Sequence, residues 1–171
     1  MASQNTYSGS QAGRPAPLDL IDRKILAALR RNGRLTMNEL AAEVGLSASP
    51  CWTRVRRLEA AGVITGYAAL IDQRAIGIAN IIFVEVTLDR HDDRMLERFG
   101  EALARIPEVL DAYLVTGDYD YLVRVAVTGT EHYERFLRDS LYRIEGIRHS
   151  RSTFALRTLK QASSVDPMLV G

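Results

Sequence analysis

The chain has 171 residues, 47% hydrophobic and 25% charged, an ordinary globular composition with room for one large or two small domains. Its net charge of +1 gives no global case for nucleic acid, and its single cysteine excludes an intramolecular disulfide. No apolar run approaches the ~20 residues of a membrane span and no signal-peptide pattern is present, so a soluble, cytoplasmic protein is expected.

The charge is unevenly spread. Over residues 18–63, eight Arg and Lys stand against five acids, a local +3 that leaves the remainder at −2. Ahead of this segment, residues 1–17 are polar and rich in Ser, Gly, Gln and Pro, with Arg14 their only basic side chain. They read as a disordered arm.

Order begins at Leu18. Asp19 is placed to cap a helix carrying Ile21, Ile25, Ala28 and Leu29 on one face, ended by Asn32-Gly33. Thr36 and Glu39 form a T-x-x-E capping box opening a short helix with Leu40, Ala41 and Val44 inward, and Gly45 supplies its stop. The stretch 46–62 then predicts a third helix. Cys51, Val55 and Leu58 share its inner face, while Ser49, Thr53, Arg56, Arg57 and Ala60 face outward. Ser47 or Ser49 can cap its first turn, and Pro50 is tolerated there. Two short helices joined by a Gly turn, the second with an outward face polar at its start and cationic behind, make a helix-turn-helix suited to a DNA major groove. Residues 18–63 are therefore expected to be a DNA-binding domain.

Residues 63–72 read as a strand pair or an extended connector and 73–80 as a hinge, so 64–80 separate two domains. The second half repeats itself. A strand at 81–88, with Ile82, Val84, Val86 and Leu88 facing one way, leads to a helix carrying Leu96, Phe99, Leu103 and Ile106, then to a strand at 109–115. A strand at 121–127 leads to a helix carrying Tyr133, Phe136, Leu137 and Leu141, then to a strand at 147–156. Two β-α-β units make a ferredoxin-like β-α-β-β-α-β sandwich over 81–160, and the fold class is α+β. The outer sheet face is expected to carry Ile81, Phe83, Leu110, Leu114 and Leu122, too apolar for water, which predicts a homo-oligomer. The tail 161–171 reads as frayed.

The stretches LDLIDRKILAALRRNGR, MNELAAEVGLSASPCWTRVRRLEAAGVITGYAALID, FVEVTL and VTGDYDYLVRV together resemble transcription regulators of the leucine-responsive/asparagine-responsive (Lrp/AsnC, feast/famine) family. The resemblance runs from Leu18 to about Lys160. It implies a winged-helix-like DNA-binding domain followed by a RAM-type effector domain, a dimer on double-stranded DNA that assembles further, with an octamer as precedent, and an amino-acid effector. Ser47, Ala48, Ser49, Trp52 and Thr53 would meet base edges, and Arg54, Arg56 and Arg57 would take phosphates or reach guanines. Trp52 lies on the flank, where packing against the second helix is an equal alternative. The resemblance places the effector at Thr116, Gly117, Asp118, Tyr119, Asp120 and Tyr121. There Gly frees backbone N–H groups for a carboxylate, and carboxylates can receive an ammonium. Thr153, Phe154 and Ala155 match a second ligand-response region; Thr153 and Phe154 depart from leucine-responsive members, so leucine is not implied.

Other chemistry finds little support. His91, His132 and His149 are far apart and read as surface histidines, Cys51 as a small core hydrophobe, and no metal or cofactor is expected. No phosphate loop, nucleophile elbow or dinucleotide fingerprint appears, so the chain is not expected to be an enzyme. Two alternatives remain: a siroheme-decarboxylase-like enzyme of the same architecture, and an amino-acid-binding regulatory protein with a vestigial helix-turn-helix.

Overall fold

The computed structural model describes residues 17–90 and 92–169; the arm expected over 1–17 lies, but for Pro17, outside the described residues, as does His91. The described residues divide into two compact units, a helical one formed by residues 17–70 with 162–169 and a sheet unit within 71–161.

In the helical unit, α1 (Leu20–Arg31), α2 (Met37–Val44) and α3 (Ala48–Ala60) follow one another closely. Asp19 accepts a hydrogen bond from the Asp22 backbone at 2.8 Å while Asp22 accepts from the Asp19 backbone at 3.2 Å, a reciprocal capping box. The Thr36–Glu39 box closes α2 in the same way, and Gly45 ends it in the left-handed region at φ 75°. Ser47 is the N-cap of α3 but makes no side-chain cap hydrogen bond. Instead, the first turn is tied by its backbone, Cys51 N–H donating to the Ser47 carbonyl, while the Thr53 hydroxyl donates to the Ser49 carbonyl. The three helices bury Ile25, Ala28, Leu40, Ala41, Val44, Cys51, Val55 and Leu58 in one core.

Past α3, the Val63 and Ile64 N–H groups both donate to the Leu58 carbonyl in a bend, and residues 65–72 carry no regular secondary structure and join no sheet. The tail differs from expectation. Arg30 donates to the Ser164 carbonyl at 3.0 Å and pairs with Asp166 at 3.8 Å, drawing the 3₁₀ turn Pro167–Leu169 against α1. An arginine reaching back from α1 holds it, not an apolar stripe, and Val165 and Leu169 stay exposed.

The sheet unit runs β1 (Asn80–Leu88), α4 (Asp93–Ala104), β2 (Val109–Leu114), β3 (Tyr121–Val127), α5 (Thr130–Asp139), a 3₁₀ turn at Leu141–Arg143 and β4 (Ile147–Phe154). The strands order as β2-β3-β1-β4, all antiparallel, with both helices on one face. Period-2 alternation puts Ile82, Val84, Val86, Leu88, Val123, Val125 and Val127 on the helix side against Phe99, Leu103, Tyr133, Phe136 and Leu141. Leu141 belongs to this core although α5 has already ended at Asp139.

The outer face departs from the sequence expectation at one strand. A register shift between Val109 and Asp111 brings Asp111 opposite Arg124 and Tyr113 opposite Leu122, and puts Leu114 opposite the inward-facing Tyr121. One inserted residue reverses the faces beyond it, so Tyr113 replaces Leu114 on the outer surface. Phe83, Leu122 and Tyr113 there surround an Arg124–Asp111 ion pair at 2.5 Å.

Candidate nucleic-acid interface and effector loop

The outward surface of α3 is built by its period. With Cys51, Val55 and Leu58 buried, Ser49, Trp52, Thr53, Arg56 and Arg57 are exposed, as is Ser47 just before the helix, while Ala48 and Arg54 are half-buried. Trp52 is 51% exposed, and the Arg56 guanidinium lies 5.5 Å from the centre of its ring. That contact turns the indole into part of the exposed face and stiffens Arg56. The Arg56 pairing to the half-buried Glu59, at 3.4 Å and with Arg56 itself exposed, is long and of the weak kind.

The other two arginines are differently placed. Arg54 reaches Asp19 at 2.6 Å and Asp22 at 2.8 Å, and Arg57 reaches Asp22 at 2.5 Å. Asp22 is fully buried on α1. A buried carboxylate that lost its cations would be left without solvent or counter-charge, so these contacts lock α3 onto α1. The Asp22 backbone hydrogen bond and then the Arg54 guanidinium hold the Asp19 carboxyl below the usual carboxylate range, and the hydrogen bonds to Asp19 and Asp22 push Arg54 upward. The sequence reading missed this clasp. Its signal was an acid three residues from Ile25, inside the apolar stripe of α1.

The hairpin between β2 and β3 sorts its own residues. Thr116, Gly117 and Asp118 are exposed at the tip, where Gly117 sits at φ 133°, and Tyr119 is half-buried. Asp120 anchors the turn: its carboxylate accepts from Leu88 N–H at 2.7 Å, its N–H donates to the Val86 carbonyl, and its carbonyl accepts from Val115 N–H. Tyr121 is a core residue. Its ring lies 5.0 Å from that of Phe99, its hydroxyl donates to the Leu96 carbonyl, and burial pushes that hydroxyl's pKa up. Of the second region, Thr153 pairs with Phe83 on the outer face, whereas Phe154 pairs with Ile82 and meets the Tyr133 ring edge-on at 5.5 Å on the helix side. Ala155 donates its N–H to the Ile81 carbonyl. The expected effector residues thus share a sheet but not one surface. An open cleft of about 550 Å³ lies away from all of them, at the start of β4, between Tyr142, Gly146, His149 and Ser150.

The remaining groups are structural. His132 is not a free surface histidine; it contacts Glu108 at 3.2 Å and Thr128 at 3.3 Å, fastening α5 beside the start of β2. Cys51 is buried, which pushes its thiol up and away from reactivity. Among the described residues no three His, Cys, Asp or Glu side chains converge on a point, and no helix is long and apolar enough to cross a membrane.

Comparison with known proteins agrees with this division of labour. Residues 18–65 match a family described as winged helix-turn-helix DNA-binding, and residues 81–165 match the Lrp/AsnC ligand binding domain. The leucine-responsive regulatory protein of Escherichia coli K12 is 38% identical over 146 residues, covering 85% of this chain and 89% of that protein. A transcriptional regulator from Neisseria meningitidis, solved as a complex with L-Met, is 36% identical with a TM-score of 0.82, covering 87% of this chain and 96% of that one. An AsnC family regulator from Agrobacterium tumefaciens is 35% identical with a TM-score of 0.85, covering 90% and 99%. With a DNA-binding helix presented by one unit and a ligand-binding fold in the other, the chain belongs to the Lrp/AsnC family of transcription regulators.

Proposed function

We propose that the protein binds double-stranded DNA as a homo-oligomer and changes that binding in response to an amino acid. The observation that carries the DNA half is the exposed start of α3, where Ser47, Ala48, Ser49, Trp52 and Thr53 lie ahead of a stacked Arg56. Two such helices in a dimer would enter successive major-groove half-sites about one helical turn apart. Arg54 and Arg57 stand behind this surface, tied to α1. The Phe83, Tyr113 and Leu122 surface of the sheet supports pairing between protomers, since such a surface is poorly suited to water. No catalytic step is assigned to any residue.

Fluorescence anisotropy against the protein's own upstream DNA and a scrambled duplex, at one stated salt concentration, tests this reading. Preference for the upstream duplex is expected, and Arg56→Ala is expected to weaken binding to both duplexes by roughly tenfold or more at 0.1 M salt through loss of one phosphate contact per protomer. Equal binding of both duplexes would remove the role.

For the effector, the L-Met complex of the Neisseria regulator supports an amino-acid ligand, and the hairpin offers the matching groups. Gly117 exposes backbone N–H groups to a carboxylate, and Asp118, the solvent-facing acid, would receive the ammonium. Asp120 already serves the fold. Asp118→Asn is therefore expected to lower amino-acid affinity by about tenfold, the worth of a charged hydrogen bond, with the melting temperature unchanged. Asp120→Ala is expected to destabilise the sheet unit by about 1–3 kcal/mol, because Leu88 N–H loses its acceptor. Calorimetry with an amino-acid panel and thermal melts separate the two; equal effects from both variants would contradict this assignment.

A further inference from the structure

From the buried position of Asp22 we infer that it determines DNA specificity by withholding charge, resting on the reading of α3 as the DNA-entering helix. Three arginines on one helix would suit any phosphate backbone, since such contacts position a protein without reading sequence. Here Arg54 and Arg57 are matched charge for charge by Asp19 and Asp22. Asp22 cannot release them cheaply: it has no exposure, and its two oxygens are divided between the two guanidiniums, one of them also accepting from Asp19 N–H. The two arginines differ in exposure, with side chains 30% and 55% accessible, so Arg57 already faces solvent and is restrained by its bond to Asp22 rather than by depth. The cluster presents DNA with little net charge. What remains forward is the Ser49, Thr53 and Trp52 surface with Arg56, whose contact to the half-buried Glu59 is a long one at 3.4 Å. Asp22 is thus a positioning residue that touches no DNA and keeps non-specific affinity low.

The test uses the full-length protein with Asp22→Asn, which keeps the shape and the capping oxygen while removing the charge. Affinity for upstream and scrambled duplexes is measured across a salt series, with circular dichroism to verify helix content. Binding to the scrambled duplex is expected to rise at least about fivefold at 0.1 M salt, and the slope of log affinity on log salt to steepen by about one per protomer as Arg57 becomes available. Discrimination between the duplexes then falls. A purely structural role predicts the reverse sign, both affinities declining in parallel with an unchanged slope, and that result would overturn the inference. Should Asp22→Asn not fold, Arg57→Gln and Arg56→Gln decide instead. A slope unmoved by Arg57→Gln but reduced by about one per protomer by Arg56→Gln supports it, and equal reductions overturn it. Wild-type protein that prefers neither duplex overturns the underlying reading and this inference with it. A wild type that discriminates while Asp22→Asn leaves the slope unmoved overturns this inference alone.

Discussion

Leu58→Ala is expected to abolish DNA binding by unfolding the helical unit while the sheet unit stays folded. Leu58 is 2% exposed on the inner face of α3, in a core with Ile25, Leu40, Ala41, Val44, Cys51 and Val55. Truncation there removes the transfer energy of the lost methyl groups and leaves a cavity, a cost of about 2–5 kcal/mol. A unit this small has little reserve beyond that, because the share of surface buried on folding shrinks with size. Each unit has a core of its own, so the loss should remain local. The single tryptophan, Trp52 on α3, reports the helical unit selectively. In urea, the Trp52 fluorescence midpoint is expected to fall sharply, while the far-ultraviolet dichroism transition of the sheet unit keeps its midpoint. Both transitions moving together would show that the units fold as one.

Phe99→Ala is the counterpart in the sheet unit and should be more costly, at about 3–5 kcal/mol for a buried aromatic. Phe99 on α4 is 1% exposed, and its ring packs against Tyr121. Tyr121 opens β3 three residues after Asp118 of the turn, and the Asp120 clasp beside it ties the same turn to β1. Loss of the Phe99 ring thus loosens the turn from beneath without touching any exposed residue. The expected result is loss of the amino-acid response and of assembly, seen by calorimetry and sedimentation, with the Trp52 transition intact. Retained amino-acid binding in this variant would dissociate the effector site from the hairpin.

These two substitutions fall on positions that periodicity alone identifies. Leu58 recurs with Cys51 and Val55 at helical spacing, and Phe99 stands on the apolar stripe of α4 with Leu103. The caps of α1 and α2 were equally legible, since the Asp19–Asp22 pair, the Thr36–Glu39 box and Gly45 act between residues a few positions apart, whereas the Ser47 side chain expected to cap α3 makes no such bond. So was the β-α-β-β-α-β order, because alternation and stripe each report which face meets the core. At the candidate site, the exposed Ser49, Thr53 and Arg56 follow from the same helical period, and Gly117 and Asp118 from turn chemistry.

What the sequence did not reveal was governed by partners distant along the chain. Arg54 and Arg57 read as two more DNA-facing cations, and only the approach of α1 to α3 shows that Asp22 claims both. Asp118 and Asp120 look alike in a hairpin until β1 brings Leu88 N–H to one of them. The register shift after Val109 sets Tyr113, not Leu114, beside Leu122 on the outer face, since one extra residue in a strand inverts every face beyond it. Likewise Arg30 gathered a tail that has no pattern of its own. Local sequence by itself determined the elements, their caps and their buried faces, because those depend on the period of one segment. Tertiary structure alone decided which charges are left to solvent and which are paired within the fold, because only the approach of distant elements supplies a charge's partner.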